Sequence, residues 1–327
     1  MRRFKRFGEV RDIDMAIERQ AEAVDLAPLD SADRYACLSS LGFSFMHRFE
    51  LFGSVQDIDV AIERQSEAVN LTPLVSAGRP RSLKNLGLSF LRRFERFGEV
   101  KDIDAAIERQ TEAVDLSPLD NADRHTCLNN LGLSLMHRFE RSGSVQDISL
   151  AIEKQTEAVH LTPLDSADRP RSLNNLGLSF CGRFRMSGEA KDIDAAIEWQ
   201  TKAVDLSPLD SAHRHTYLSN LGFSFLRRFE QFGEIKDEQR AANAFLSSHS
   251  QNGKPLTRME ASLQYAHIIH RREDFSMAAE GYIQAVHLLP QAVWIGLDVL
   301  SQLKQFSSDI QSFGCDAAAC MFSRAES

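Results

Sequence analysis

The chain has 327 residues, 43% of them hydrophobic and 26% charged, with a formal net charge of −8. That balance suits a soluble chain able to bury a core, excludes a disordered segment, and argues against nonspecific nucleic-acid or anionic-membrane binding as the main role. No apolar run approaches the ~18 residues of a membrane span, and the opening "MRRFKRFGEV" lacks the apolar core of a secretory signal, so a cytoplasmic protein is expected.

Taken in chain order, the first residues already belong to a pattern. "RRFKRFGEV" aligns with "HRFELFGSV", so Arg3 and Phe4 correspond to Arg48 and Phe49, at the end of a long helix. The chain is therefore expected to open inside a repeat. On that reading it is either a piece of a longer array, or the apolar face of residues 13–26 meets a partner or a second copy in self-association.

Five copies of one unit follow. "CLSSLGFSF", "SLKNLGLSF", "CLNNLGLSL", "SLNNLGLSF" and "YLSNLGFSF" place glycines at Gly42, Gly87, Gly132, Gly177 and Gly222, always 45 residues apart. Each unit pairs a short helix with a long one. The short half, "DIDAAIERQTEAVDLSP" from Asp102 to Pro118, carries a narrow apolar face of Ile103, Ala106, Ile107, Ala113 and Val114. Asp102 or Asp104 is expected to cap its start, and Pro118 to stop it.

The long half, Asn121 to Gly143, puts Leu128, Leu131, Leu135 and Phe139 on one helical stripe. Gly53, Gly98, Gly143, Gly188 and Gly233 stand where a helix ends on a left-handed residue. A glycine inside a helix costs about 1 kcal/mol relative to alanine. Gly132 and its equivalents are therefore read as notches that admit a second helix closely. Pro80 and Pro170, like Cys37 and Cys127, lie 90 residues apart, which suggests duplication of a two-repeat unit.

From about residue 236 the pattern changes. "DEQRAANAFLSSHSQNGKP" reads as a degenerate short helix and a linker near 247–256, and "SMAAEGYIQAVHLLP" as another short helix ended by Pro290. Two more helices are expected after it. The domains are thus expected at 1–235, the long repeats, and 236–327, a degenerate helical region. Cys37, Cys127 and Cys181 are read as buried small side chains, and Cys315 and Cys320 lack further ligands for zinc.

These residues resemble the tetratricopeptide repeat family. Leu131 and Gly132 match its first-helix pair, and Ala106, Ala113 and Pro118 match its second-helix pattern, as do Ala16, Ala23, Pro28 and Ala61, Ala68, Pro73. Ala278, Tyr282, Ala285 and Pro290 follow the same order. Two departures stand out. The period is 45 residues rather than ~34, and Gln20, Gln65, Gln110, Gln155 and Gln200 replace the usual aromatic. The resemblance implies an all-α fold, an α-solenoid in a right-handed superhelix. With "NNLGLSF…RF" and "LLPQAVWIGLDVLSQL…CDAAA", the chain is also similar to the repeat region of fungal proteins that end in a caspase-like CHAT domain.

No catalytic constellation emerges. His267 and His270, three apart, lack further metal ligands in sequence, and the acids of "DIDAAIE" read as caps and a solvated face. No cofactor is expected, and the chain is not expected to be an enzyme. The resemblance places groove-facing positions at Lys84, Asn129 and Asn174, at Phe43, Leu88, Leu133, Leu178 and Phe223, and one turn on at His47, Arg92, His137 and Arg227.

That arrangement suits a protein or peptide, acidic where it meets the cations. The alternative is that Asn85, Asn130, Asn175 and Asn220 bond between repeats and the apolar positions are core. The functional expectation is a noncatalytic protein-binding scaffold. Its alternative is the detached regulatory portion of a CHAT-type protease.

Overall fold

The computed structural model describes residues 10–294 apart from 30, 119, 120, 122 and 250–252. The expectations for Arg3 and Phe4, for Cys315 and Cys320, and for helices beyond 294 lie outside the described residues. Among those described, all regular structure is helical, in thirteen helices. No described helix is long and apolar enough to cross a membrane.

The chain packs as two compact units, Met1–Thr162 and Pro163–Ser327. The division falls within the run of long repeats rather than at the change of repeat type near residue 236. The first unit holds α1 (Val10–Leu26), α2 (Ala32–Phe52), α3 (Val55–Leu71), α4 (Arg79–Phe97), α5 (Val100–Asp115), α6 (Arg124–Ser142) and α7 (Val145–Leu161). The second holds α8 (Arg169–Ser187), α9 (Ala190–Leu206), α10 (Arg214–Phe232), α11 (Ile235–His249), α12 (Pro255–Arg271) and α13 (Phe275–Trp294).

In the first unit α2 packs on α3, α4 on α5 and α6 on α7, and α1, α3 and α5 also meet the first helix of the next pair. The second unit repeats this with α8 on α9, α10 on α11 and α12 on α13. Neighbouring first helices touch as well, α2 with α4, α4 with α6, α8 with α10 and α10 with α12. Each unit is thus an array of tetratricopeptide-like helix pairs, an α-solenoid fold.

The hairpins form where the sequence has least choice. Leu128, Leu131, Leu135 and Phe139 are all buried along α6, and Ile103, Ala106, Ala113 and Val114 along α5. Between paired helices the chain turns at Gly53, Gly98, Gly143, Gly188 and Gly233, whose φ angles of 67 to 76° fall in the left-handed region. There a side chain would strain the backbone, and each glycine N–H bonds back to a phenylalanine carbonyl, as Gly143 does to Phe139 at 2.7 Å.

The interior glycines serve close approach. A Cβ on Gly132 would stand 2.4 Å from Gln155 Cγ and 3.1 Å from the Ala151 carbonyl oxygen. Gly42, Gly87 and Gly177 meet Gln65, Gln110 and Gln200 in the same way. The four glutamines are buried to 1% exposure or less, and their amides have no hydrogen-bond partner among the described residues. At Gly222 the partner is instead the ring of Phe245, at 2.8 Å from a Cβ built there.

Three expectations are corrected. Neither Asp102 nor Asp104 caps α5, because the helix begins earlier, at Val100, and places Asp102 in its buried first turn. Pro290 does not end α13, which continues to Trp294; a proline removes one backbone bond without obliging the chain to turn. Cys127 and Cys181 are buried, but Cys37 is only half-buried. Burial raises the Cys127 thiol pKa above the ordinary value.

Candidate functional site

The first helices of each unit share a face. Phe43, Leu88 and Leu133 are half-buried there in the first unit, and Leu178 and Phe223 in the second, so each retains accessible apolar surface. Lys84 is half-buried one turn before Leu88. The two amides expected beside them are not available in the same way. Asn129 is 2% exposed and Asn174 4%, and Asn174 Oδ1 accepts from Asn220 Nδ2 at 2.9 Å. Asn85 likewise donates to Ser39 Oγ at 3.3 Å. Asn174 and Asn85 thus join neighbouring first helices and Asn129 is buried, so the accessible face is redrawn without Asn129 and Asn174.

The cations one turn on are also committed. Arg92 Nε donates to Glu50 at 2.7 Å, and its Nη1 donates to Glu95 at 2.7 Å. His137 lies 3.2 Å from Glu95 and 3.3 Å from Glu140, while His47 Nδ1 meets Glu50 at 2.7 Å and its ring stands edge-on to Phe43. The result is a ladder in which acid and base alternate from helix to helix.

Burial works against the charge on Glu95, yet His137 and Arg92 outweigh it and bring the carboxyl down to about 2. Burial likewise opposes charge on His137, but Glu140 and Glu95 raise the imidazole to about 9. A stripe of cations waiting for an acidic partner is therefore not what His47, Arg92 and His137 form. Arg227, half-buried on α10, has no ion-pair partner among the described residues.

Two sets of arginines that sequence reasoning passed over position this face. At the end of each long helix one arginine forks onto the acid that had been read as a cap. Arg93 donates to both oxygens of buried Asp102, at 2.9 and 2.6 Å, and to Asp59 of the preceding hairpin at 2.9 Å. Arg48 does the same with Asp57 and Asp14, and Arg138 with Asp147 and Asp104. In the second unit Arg228 joins Asp237 and Asp194.

At the start of the long helices Arg34, Arg79 and Arg124 close the carbonyl ends of the preceding short helices. Arg124, for example, donates to Val114 and Ser117 oxygens at 2.9 and 2.7 Å. The signal for both sets was present. Arginine and aspartate recur nine apart in every copy, and a second arginine recurs ten residues after a valine.

In the second unit a cavity of about 300 Å³ opens between α10, α12 and α13, floored by Leu226 and Tyr282. His267 and His270 stand edge-on to Tyr282, at ring-centroid distances of 5.8 and 6.4 Å. Among the described residues no group of three metal-ligating side chains converges.

No protein-family model matches the sequence, nor does any curated protein. Solved structures do. The chain is similar to the APC/C hetero-tetramer Cut9–Hcn1, with 17% identity and a TM-score of 0.56 over 85% of this chain and 43% of that one. It thus spans less than half the length of Cut9–Hcn1's matched chain. It is similar to the human IFIT1 dimer with m7Gppp-AAAA, with 14% identity and a TM-score of 0.56 over 97% of this chain and 68% of that one. A third match is the C-terminal part of a TPR repeat-containing protein from Cytophaga hutchinsonii, with 13% identity and a TM-score of 0.48, over 87% of this chain and 98% of that one. At these identities the likeness to the first two is one of fold.

Proposed function

We propose that the chain is a noncatalytic docking module that takes an extended or helical segment of another protein on the first-helix faces of its units. The observation that carries this reading is the half-buried row of Phe43, Leu88 and Leu133, with Leu178 and Phe223 at the same register in the second unit. Apolar side chains held at fixed spacing on rigid helices and bordered by polar groups provide anchors for such a segment.

The ladder of Glu50, Arg92, Glu95 and His137 borders the row with charges already satisfied. It favours a partner that reads shape and apolar anchors there, rather than one recognised by its acidity.

The test is affinity capture with the intact chain, the double variant Leu88→Glu, Leu133→Glu, and Glu108→Lys on an exposed position of α5 as control. The expected outcome is a partner retained by the control and lost from the double variant, with helicity by circular dichroism unchanged. A partner captured equally by all three would overturn the assignment to this face.

A further inference from the structure

The connections between the long hairpins are closed by a group that keeps its charge. Arg34, Arg79, Arg124 and Arg214 each donate to the carbonyl end of the short helix before them, and a guanidinium stays protonated throughout the range in which proteins fold. The entry to α12 engages a group of another kind. There the backbone N–H of Lys254 donates to Nε2 of His215, on α10, at 3.1 Å. A bond in that direction requires a neutral imidazole with its lone pair on Nε2.

The ring has little room to respond. His215 is 1% exposed, and Gly253 lies against it so closely that a Cβ there would collide with the imidazole. Thr216 Oγ1 stands 3.2 Å from the same Nε2. Buried Ser248, at the end of α11, donates its hydroxyl to the His215 carbonyl at 2.7 Å. His215 thus ties α10 both to the end of α11 and to the entry of α12.

The charged groups that act on the ring all oppose a positive charge there. They are His213 at the entry of α10, Lys254 before α12 and Arg258 on α12, while Ser248 of α11 presents a hydroxyl that does not titrate. Arg171 of α8 acts in the same sense on His213. Burial first, then these cations, hold the imidazole below its ordinary 6.5, and the Ala212 backbone pulls the other way. A second proton would set Nε2–H against the Lys254 N–H, two donors with no acceptor between them. Because Gly253 blocks the ring, relief comes from moving the chain at Gly253 and Lys254.

We propose that His215 is an acid-released latch on the entry to α12: neutral, it holds Lys254 against α10, and protonated, it lets that entry go while the helices on either side stay formed. A histidine that binds its proton less readily when latched than when released contributes fully above pH 6.5, and that contribution is lost as pH falls through its lowered value.

The experiment follows the His215 imidazole and the Lys254 amide of the full chain by NMR from about pH 8 to about pH 5, with helicity by circular dichroism alongside. The imidazole is expected to titrate below 6.5, with the Lys254 amide shift following the same midpoint. Protection of that amide from hydrogen exchange, corrected for the intrinsic rate, should fall at least roughly tenfold across the midpoint while helicity holds. Lys254→Gln removes the facing ammonium from an exposed position and should move both midpoints up together. His215→Gln keeps an acceptor that does not titrate and should leave the Lys254 amide insensitive to pH.

An imidazole that titrates at or above 6.5, a Lys254 amide that ignores its midpoint, or helicity lost along with it would overturn the latch. So would a Lys254 amide as pH-sensitive in His215→Gln as in the unaltered chain. Should His215→Gln fail to fold, Lys254→Gln decides, and midpoints that stay put or move apart overturn the latch.

Discussion

The hairpins α6–α7 and α10–α11 build the same helix seam with different chemistry. Around Gly132 the seam is closed by the methylenes of Gln155, whose amide is then buried without a hydrogen-bond partner among the described residues; around Gly222 it is closed by the ring of Phe245. In α13 another aromatic, Tyr282, takes the corresponding place and is wholly buried. Both solutions exploit a missing Cβ, but they differ in what they leave behind. A ring satisfies the seam by contact alone, whereas a buried amide without a hydrogen bond carries a penalty of about 1–3 kcal/mol. The lesson is that the notch, not its filler, is the constant of this repeat.

The strongest way to break that comparison is to fill the notch. Gly132→Leu and Gly222→Leu are each expected to cost about 3 kcal/mol by overpacking, because neither the Ala151 carbonyl nor the Phe245 ring can withdraw far. Denaturant unfolding would show it as a lower midpoint, and unchanged midpoints would refute close packing as the reason for the glycines. A smaller effect of opposite sign sharpens the comparison. Gln155→Met keeps the chain over Gly132 and removes the lone amide, and is expected to stabilise the first unit by about 1 kcal/mol. A loss of stability instead would show that the amide is satisfied in solution.

What could be read from the sequence follows from how local each constraint is. Gly143 was legible as a helix end because a left-handed residue is a one-residue requirement, and Gly132 as a notch because a helix-interior glycine contradicts its own propensity. Asp102 was misread for the same reason. An acid in a first turn has a sufficient local explanation, and the pull of Arg93 across the hairpin is visible only once α4 lies against α5. Arg92 and His137 were expected to point into a groove as free cations, whereas their pairing with Glu50 and Glu95 spans 42 residues and depends on how neighbouring helices align. Asn174 was read as groove-facing and Asn220 as a possible link between repeats, and their mutual hydrogen bond is visible only once α8 lies against α10.

The smallest expected effect concerns the pH response of the ladder in the first unit. His137 rises from an ordinary 6.5 to about 9 on folding, so its contribution is fully present below pH 6.5 and is lost as pH climbs through about 9. Glu95 falls from 4.5 to about 2, so its contribution is fully present above pH 4.5 and is lost as pH drops through about 2. The ladder therefore supports the first unit most fully between pH 4.5 and 6.5. His137→Gln removes the titrating one of Glu95's two basic partners, leaving Arg92, and is expected to flatten the alkaline limb by about 1 kcal/mol, as for a partly exposed ion pair. Unfolding midpoints measured from pH 5 to 10 on both proteins would check it. An alkaline limb equally steep in His137→Gln would assign the loss to other groups and would leave the ladder as a border of the docking face with no share in its stability.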